Sequence, residues 1–419
     1  MTTAIYWFRN DLRLEDNPAL MAACESAELL LPIYIHDKRL ERNTEWDFPR
    51  VGVHRRAFLQ ESTNDLRLQL RLLGSDLMEL SGNFTEVFEK LKVELGISQI
   101  YCEHIEAPEE LEQISALRNL GFEVSSLWQS SMLDIEALPF EPKQMPDIFT
   151  QFRQQIEKKG LRFTDPMGRI KALPPLPTGD LDRLDSMSHS SATKTLFSGG
   201  ASGAHAHIGQ YFERHLVDTY KQTRNQLIGM DYSSKFSPWL ALGACSARSI
   251  AQKLAEYETR YGANDGTYWL WFELLWRDYF RFLHFKYGSR LYGSKGLSDT
   301  KSHPFDDMKF KQWASGNTGN PFIDAGMREL KKTGFLSNRM RQIVASYWIY
   351  DMKGDWRSGA AWFESHLIDY DVYSNQGNWL YIAGKGTDPR GGRPFNTARQ
   401  VKDHDADGSY QSKWLQDAV

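Results

Sequence analysis

The chain has 419 residues, 41% of them hydrophobic and 25% charged, the balance of a globular protein of two or three domains rather than a disordered one. Its 50 basic and 54 acidic residues give a formal charge of −4, which argues against coating nucleic acid by net charge but leaves a local basic groove open. Aromatic residues reach 13%, and 10 of the 13 tryptophans follow residue 200, so the two halves differ in kind.

The opening MTTAIYWFRNDLRLEDN carries Arg9, Asp11 and Arg13 where a secretory signal needs an apolar run, and no stretch reaches the ~18 apolar residues of a membrane span. Cys24, Cys102 and Cys245 show no zinc or disulfide spacing, which fits a reducing compartment. A soluble, cytoplasmic protein without a metal centre is expected.

Short apolar runs at 4–8 (AIYWF), 29–35 (LLLPIYI), 76–80 (DLMEL), 97–102 (ISQIYC) and 124–128 (VSSLW) read as strands. Helical spacing separates them. In residues 55–73, Phe58, Leu59, Leu66, Leu68 and Leu72 form an apolar stripe. Strands alternating with helices predict a parallel, Rossmann-like α/β domain over residues 1–130. Seven prolines between Pro139 and Pro177, then a polar run at 186–194, mark residues 131–195 as a long connector wrapped on the surface. From 196 to 419 the pattern is all-α, punctuated by Gly243, Gly262, Gly288, Gly316 and Gly334.

In the run YWLWFELLWRDYFRFLHF, Trp269, Glu273, Trp276 and Phe280 fall on one helix face. A carboxylate there is costly to bury unless a polar ligand meets it; spacing alone favours a surface pair of Glu273 with Arg277. Asn338 and Arg341, in FLSNRMRQIVASYW, suit an anion or the electron-rich edge of a flavin, against ordinary capping by Ser337 or Asn338 with solvated arginines. Asp369 and Asp371 sit in a turn-rich segment as acid and base, metal ligands, or holders of Arg341 and a cofactor hydroxyl. No matching histidine pair supports metal. The GKGT at 384–387 fails the phosphate-loop pattern because Trp379 stands where the first glycine belongs.

Together WFRNDLRLEDNPAL, FTQFR, TRNQLIG, DYSSKFSPWLALG, FELLWRDYFRF, GNTGNPFIDAGMREL, GFLSNRMRQ, DWRSGAAWF and LIDYDVYSNQGNW resemble the photolyase/cryptochrome family, and most its DASH-type branch, over nearly the whole length. The resemblance implies an α/β antenna domain, a connector and a helical domain holding FAD. By motif, Tyr220, Ser233, Ser234, Lys235, Phe236 and Ser237 would surround the FAD phosphates, with Glu273, Trp276 and Arg277 beside them. Asn338, Arg341, Asp369, Asp371 and Asn375 would surround the ring systems, Asn375 facing flavin N5.

The implied activity is that of a deoxyribodipyrimidine photolyase: blue light drives an electron from reduced FAD to a cyclobutane pyrimidine dimer in DNA, flipped into the pocket as photolyases do. Glu273, Trp276, Asn338 and Tyr381 would meet the dimer. Arg224, Arg339 and Arg393 would meet phosphates. Tyr381, where many double-strand photolyases carry Trp, implies a preference for single-stranded or looped DNA.

Flavin reduction in the family runs through three tryptophans. Trp379 and Trp356 match the first two and His303 stands at the third, so slow photoreduction, or exit through Trp313 or Tyr373, is expected. Ala201 and His207 replace the family's usual Glu and Arg. Methenyltetrahydrofolate is the expected antenna, with Glu110 as its carboxylate unless that residue is a solvated helix glutamate. A monomer is expected. The competing reading is a blue-light photoreceptor with little repair, disfavoured by the lack of an extension past Val419; a 6-4 lesion enzyme would show an active-site histidine pair where Met340 and Arg341 stand.

Overall fold

A computed structural model describes residues 2–178 and 193–416. Five parallel strands, β1 (Thr3–Phe8), β2 (Leu29–Asp37), β3 (Met78–Gly82), β4 (Gln99–Glu103) and β5 (Glu123–Leu127), pair in the order β3-β2-β1-β4-β5. Helices α1 (Pro18–Ser26), α2 (Val53–Arg71), α3 (Phe84–Leu95) and α4 (Pro108–Asn119) cover both faces. Alternation along β1 explains why: Ala4, Tyr6 and Phe8 pack with residues of α1 and α2, while Ile5 and Trp7 pack with those of α3 and α4. The third strand starts at Met78 rather than Asp76 because its ladder with β2 begins at Ile33↔Met78, and the Asp76 carboxylate accepts from Leu77 N instead. In α2, Phe58 and Leu66 are buried, but Leu68 and Leu72 are 62% and 83% exposed; two residues on from Leu66 is about 200° around the helix, the solvent side.

The expected connector at 131–195 contains a helix, α5 (Phe149–Lys158), whose Phe149, Phe152 and Ile156 enter the largest apolar core rather than lying on the surface. Residues 179–192 of that connector, and most of the polar run, lie outside the described residues. The remainder is helical: α6 (Gly200–Glu213), α7 (Tyr220–Thr223), α8 (Ser237–Ala241), α9 (Ala247–Tyr261), α10 (Asp265–Tyr287), α11 (Asp307–Ser315), α12 (Pro321–Thr333), α13 (Asn338–Ser346), α14 (Trp356–His366), α15 (Val372–Ala383), α16 (Thr397–His404) and α17 (Ser409–Leu415).

The long α10 starts with a capping box, in which the Asn264 side chain accepts from Thr267 N while Thr267 Oγ1 accepts from Asn264 N. The sheet and helical parts meet at Gly243: its φ is +62°, and a Cβ there would lie 1.9 Å from the Asn10 carbonyl oxygen. Only glycine permits that approach. Asp278 of α10 seals a second seam by accepting from Met132 N at 2.9 Å and Leu133 N at 2.8 Å.

Candidate functional site

The helical part encloses a cavity of ≈ 480 Å³ between α7, α8, α10, α13 and α15, within the size range of ligand sites. Tyr220, Ser233, Ser234, Lys235, Phe236, Ser237, Glu273, Trp276, Arg277, Asn338, Arg341, Asp369, Asp371 and Tyr381 line it, as do Arg224, Arg339 and Arg393. A smaller recess of ≈ 80 Å³ shares Asn338, Arg341, Asp369 and Asp371 with it and adds Asn375 and Trp379. Residues from across nearly 180 positions of sequence thus share one wall. Trp356 lies outside both cavities, buried, its indole N–H donating to Ser294 O at 3.0 Å. Glu110 also lies outside, in the first turn of α4, where burial pushes its carboxyl up against the opposing pull of Arg9.

Glu273 is half-buried and pairs with Arg224 of the α7 C-cap, not with Arg277. The surface pair is therefore absent: the Arg277 guanidinium turns inward to the carbonyls of Ser130 and Leu240. Burial raises the Glu273 carboxyl while Arg224 lowers it, and burial wins. Trp276 stacks on Phe149 at 3.6 Å and meets Tyr381 edge-on at 5.6 Å. The Tyr381 hydroxyl accepts from Arg393 at 2.8 Å, and Asp388 holds Arg393 at 2.7 Å.

Arg339 donates to Asn225 at 3.1 Å and Gln342 at 3.2 Å. Burial lowers its pKa, and repulsion by Arg224 and Arg393 lowers it further. Three arginines thus converge on one rim with too few carboxylates between them, an arrangement that favours an anion.

At the inner end Ser337 caps α13 by accepting from Met340 N at 3.1 Å, so capping holds as expected, but Arg341 is not solvated. It donates to Leu336 O at 2.9 Å and to Asp369 at 2.8 Å. Asp371 is gripped by Arg281 instead and caps α15 through Ser374 N at 2.8 Å; burial would raise its carboxyl, yet Arg281 and Arg277 hold it at about 2. The Asn375 amide donates to Ala360 O at 3.1 Å. Arg281 escaped the sequence reading although it continues the Glu273, Arg277 row at i+4; that spacing was the available signal. Asn225, Gln342 and Asn378 also line the cavity, and nothing in their local spacing singled them out.

Among the described residues no cluster of three or more His, Cys, Asp or Glu stands ready for a metal, and no helix is long and apolar enough to cross a membrane. Several buried polar atoms of the wall have no hydrogen-bond partner: Lys235 Nζ, which lies over the Tyr232 ring at 3.1 Å, Asp369 Oδ1, Arg339 Nε and Trp379 Nε1. Lys235 is only 4% exposed, takes a φ of +50°, and burial drops its pKa to about 7. Strain and unmet polarity of this kind mark a ligand site.

Residues 4–177 match the DNA photolyase family and residues 269–418 the FAD binding domain of DNA photolyase. A parallel-sheet lobe beside a helical lobe with this cavity defines a photolyase-type flavoprotein. Cryptochrome DASH of Xenopus laevis is 45% identical, over 97% of this chain and 81% of the relative. The crystal structure of a Synechocystis cryptochrome superposes with a TM-score of 0.92 at 40% identity, covering 99% of this chain and 89% of that one; a bacterial class III photolyase from Agrobacterium tumefaciens gives 0.81 at 27%, covering 99% and 87%. The chain belongs to the cryptochrome DASH branch of the photolyase/cryptochrome family. The FAD-binding match supports FAD as cofactor, and the wall fits it: hydroxyls and a lysine amine without a hydrogen-bond partner suit a pyrophosphate, and an arginine held by a buried carboxylate suits an electron-rich ring.

Proposed function

We propose that this protein is a light-driven, FAD-dependent lyase that splits cyclobutane pyrimidine dimers in DNA, with single-stranded or looped substrates preferred. The observation that carries this reading is the outer half of the cavity, where Glu273, Trp276 and Tyr381 sit below a rim on which Arg224, Arg339 and Arg393 repel one another. When bound, the cofactor supplies light-driven one-electron donation.

The chain's own residues bind, orient and exclude water. Ser233, Ser234 and Ser237 offer hydroxyls to the FAD pyrophosphate with Lys235 beside them, and Tyr220, Phe236 and Arg277 close the pocket. Arg341, fixed by Asp369, keeps positive charge against the reduced ring. Asp371, held by Arg281, would help hold the cofactor, and Asn338 and Asn375 would offer amides to its ring. Glu273, its carboxyl raised by burial, holds a proton for a pyrimidine carbonyl more readily than an exposed glutamate does. Trp276 and Tyr381 pack against the bases, Asn338 contacts the dimer, and the three arginines take phosphates, whose contacts fix position rather than sequence. Trp379, in the wall of the recess, would carry electrons inward, with Trp356 at most a slower branch. Glu110 belongs to a methenyltetrahydrofolate antenna site in the α/β part.

Illumination of chemically reduced protein with a thymine-dimer oligonucleotide, single- and double-stranded in parallel, tests the proposal. Dimer loss faster on the single strand is expected. Tight binding with no loss on either strand overturns it and leaves the photoreceptor reading.

A further inference from the structure

A contiguous series of rings leads away from the recess. Trp379 lies edge-on to Trp313 at 6.3 Å, Trp313 stacks on Trp348 at 5.4 Å, Trp348 meets Phe310 at 5.6 Å, and Phe310 meets Trp362 at 5.7 Å. Trp313 and Trp348 are fully buried, whereas Trp362 is partly exposed and lies tilted against His366 at 3.9 Å. The other direction ends early. Trp356 is 2% exposed, and the Ser294 carbonyl that receives its N–H also receives the Ser302 hydroxyl; the next residue is His303, exposed and carrying an imidazole that gives up an electron less readily than an indole. Tyr373 offers no shortcut: its hydroxyl accepts from Glu106 N at 2.6 Å, and among the described residues no ring contact joins it to Trp379.

We infer that electrons reach the flavin along Trp362, Trp348, Trp313 and Trp379, with Phe310 as a spacer, and that Trp362 is the surface port. Tunnelling falls steeply with gap, and this row of rings stays in contact from recess to surface. Each pass moves one electron inward: Trp379 donates to the photo-excited flavin, Trp313 refills Trp379, Trp348 refills Trp313, and Trp362 refills Trp348. A thiol in solution restores Trp362. Two passes consume two thiols, which join as a disulfide and release two protons while two electrons arrive at the flavin.

The inference rests on the cavity holding FAD but not on dimer repair. The test uses FAD-loaded protein with oxidised flavin, illuminated anaerobically with a thiol, and follows flavin bleaching for the parent, W313F, W362F and W356F. Phenylalanine keeps an aromatic ring, although W313F gives up the indole N–H bond to Val344 O at 3.0 Å, so unchanged flavin content and a cooperative melt above the assay temperature certify each variant. W313F and W362F should bleach about tenfold more slowly than the parent, with W356F slowed less. Peptide mass spectrometry after illumination without thiol gives a second readout, in which oxidation products should collect at Trp362 in the parent and vanish in W313F. Bleaching slowed by W356F alone, or oxidation at Trp356 with none at Trp362, overturns the route. Dimer splitting by the chemically reduced parent is scored separately, so failure of repair and failure of this path are distinguishable.

Discussion

Gly359 of α14 lies under the Trp379 ring: a Cβ there would fall 2.2 Å from Cη2, where ordinary contact begins at 3.4 Å. In Gly359→Ala the ring must therefore move by 3.4 − 2.2 = 1.2 Å. Trp379 is 2% exposed, with Phe363 at 5.1 Å and Trp313 at 6.3 Å, so it has little space to use. Such overpacking costs about 1–3 kcal/mol, against the ~1 kcal/mol that Ala gains over Gly inside a helix. Gly209→Ala in α6 isolates the second effect, because a Cβ there meets nothing within 4 Å. Helix propensity cancels between the two variants, and Gly359→Ala should be the less stable by the overpacking cost alone. At about 1 °C per kcal/mol for a chain of 419 residues, thermal melts of the FAD-loaded proteins resolve it. Flavin absorbance per mole of protein should fall in Gly359→Ala as well, since the displaced indole lines the recess. If Gly359→Ala melts at or above Gly209→Ala with full flavin, the reading of that wall as rigid and ligand-facing is wrong.

Asp369→Asn should weaken FAD binding at least about tenfold and lower stability by ~3 kcal/mol, because it leaves the Arg341 charge unpaired beside a fully buried side chain; flavin titration of apoprotein and urea melts check both. Glu273→Gln keeps shape but frees Arg224 from its pair, and dimer affinity or splitting should drop by about 1.5–3 kcal/mol equivalent, read from single-turnover dimer loss; an unchanged rate removes Glu273 from the substrate site. Burial lowers the His284 pKa from 6.5 to about 4. The unfolded chain therefore takes up a proton across that window which the folded chain refuses, so stability present above pH 6.5 is lost as pH falls toward 4, by roughly 3 kcal/mol. His366, also lowered from 6.5 to about 4 by burial, acts in the same sense. Urea midpoints should drop over that range, and His284→Gln should flatten the drop.

The sheet was readable because each strand is an apolar run bounded by turn residues, and only the ladder decides which two residues at an end pair. Leu68 and Leu72 misled because a loose stripe was credited to residues that an angle of 100° per residue turns outward. Helix α5 hid among prolines, although Phe149, Phe152 and Ile156 fall at i, i+3 and i+7. The cavity wall was largely visible through family motifs, whereas its ion pairs were not. Glu273 pairs with Arg224 across 49 positions, and Asp371 with Arg281 across 90, relations that only the closed fold creates. Local spacing instead proposed Arg277, which turns inward to the carbonyls of Ser130 and of Leu240 in α8.

One face of Trp276 is covered by Phe149, a residue more than 100 positions earlier in the chain. The helical part is therefore not a self-sufficient module. A fragment beginning after the connector would expose that indole face and leave Asp278 with a buried carboxylate stripped of its two amide donors. Truncation after the connector would cut through the back of the pocket, so the helical part and the stretch from Met132 through α5 form one structural unit.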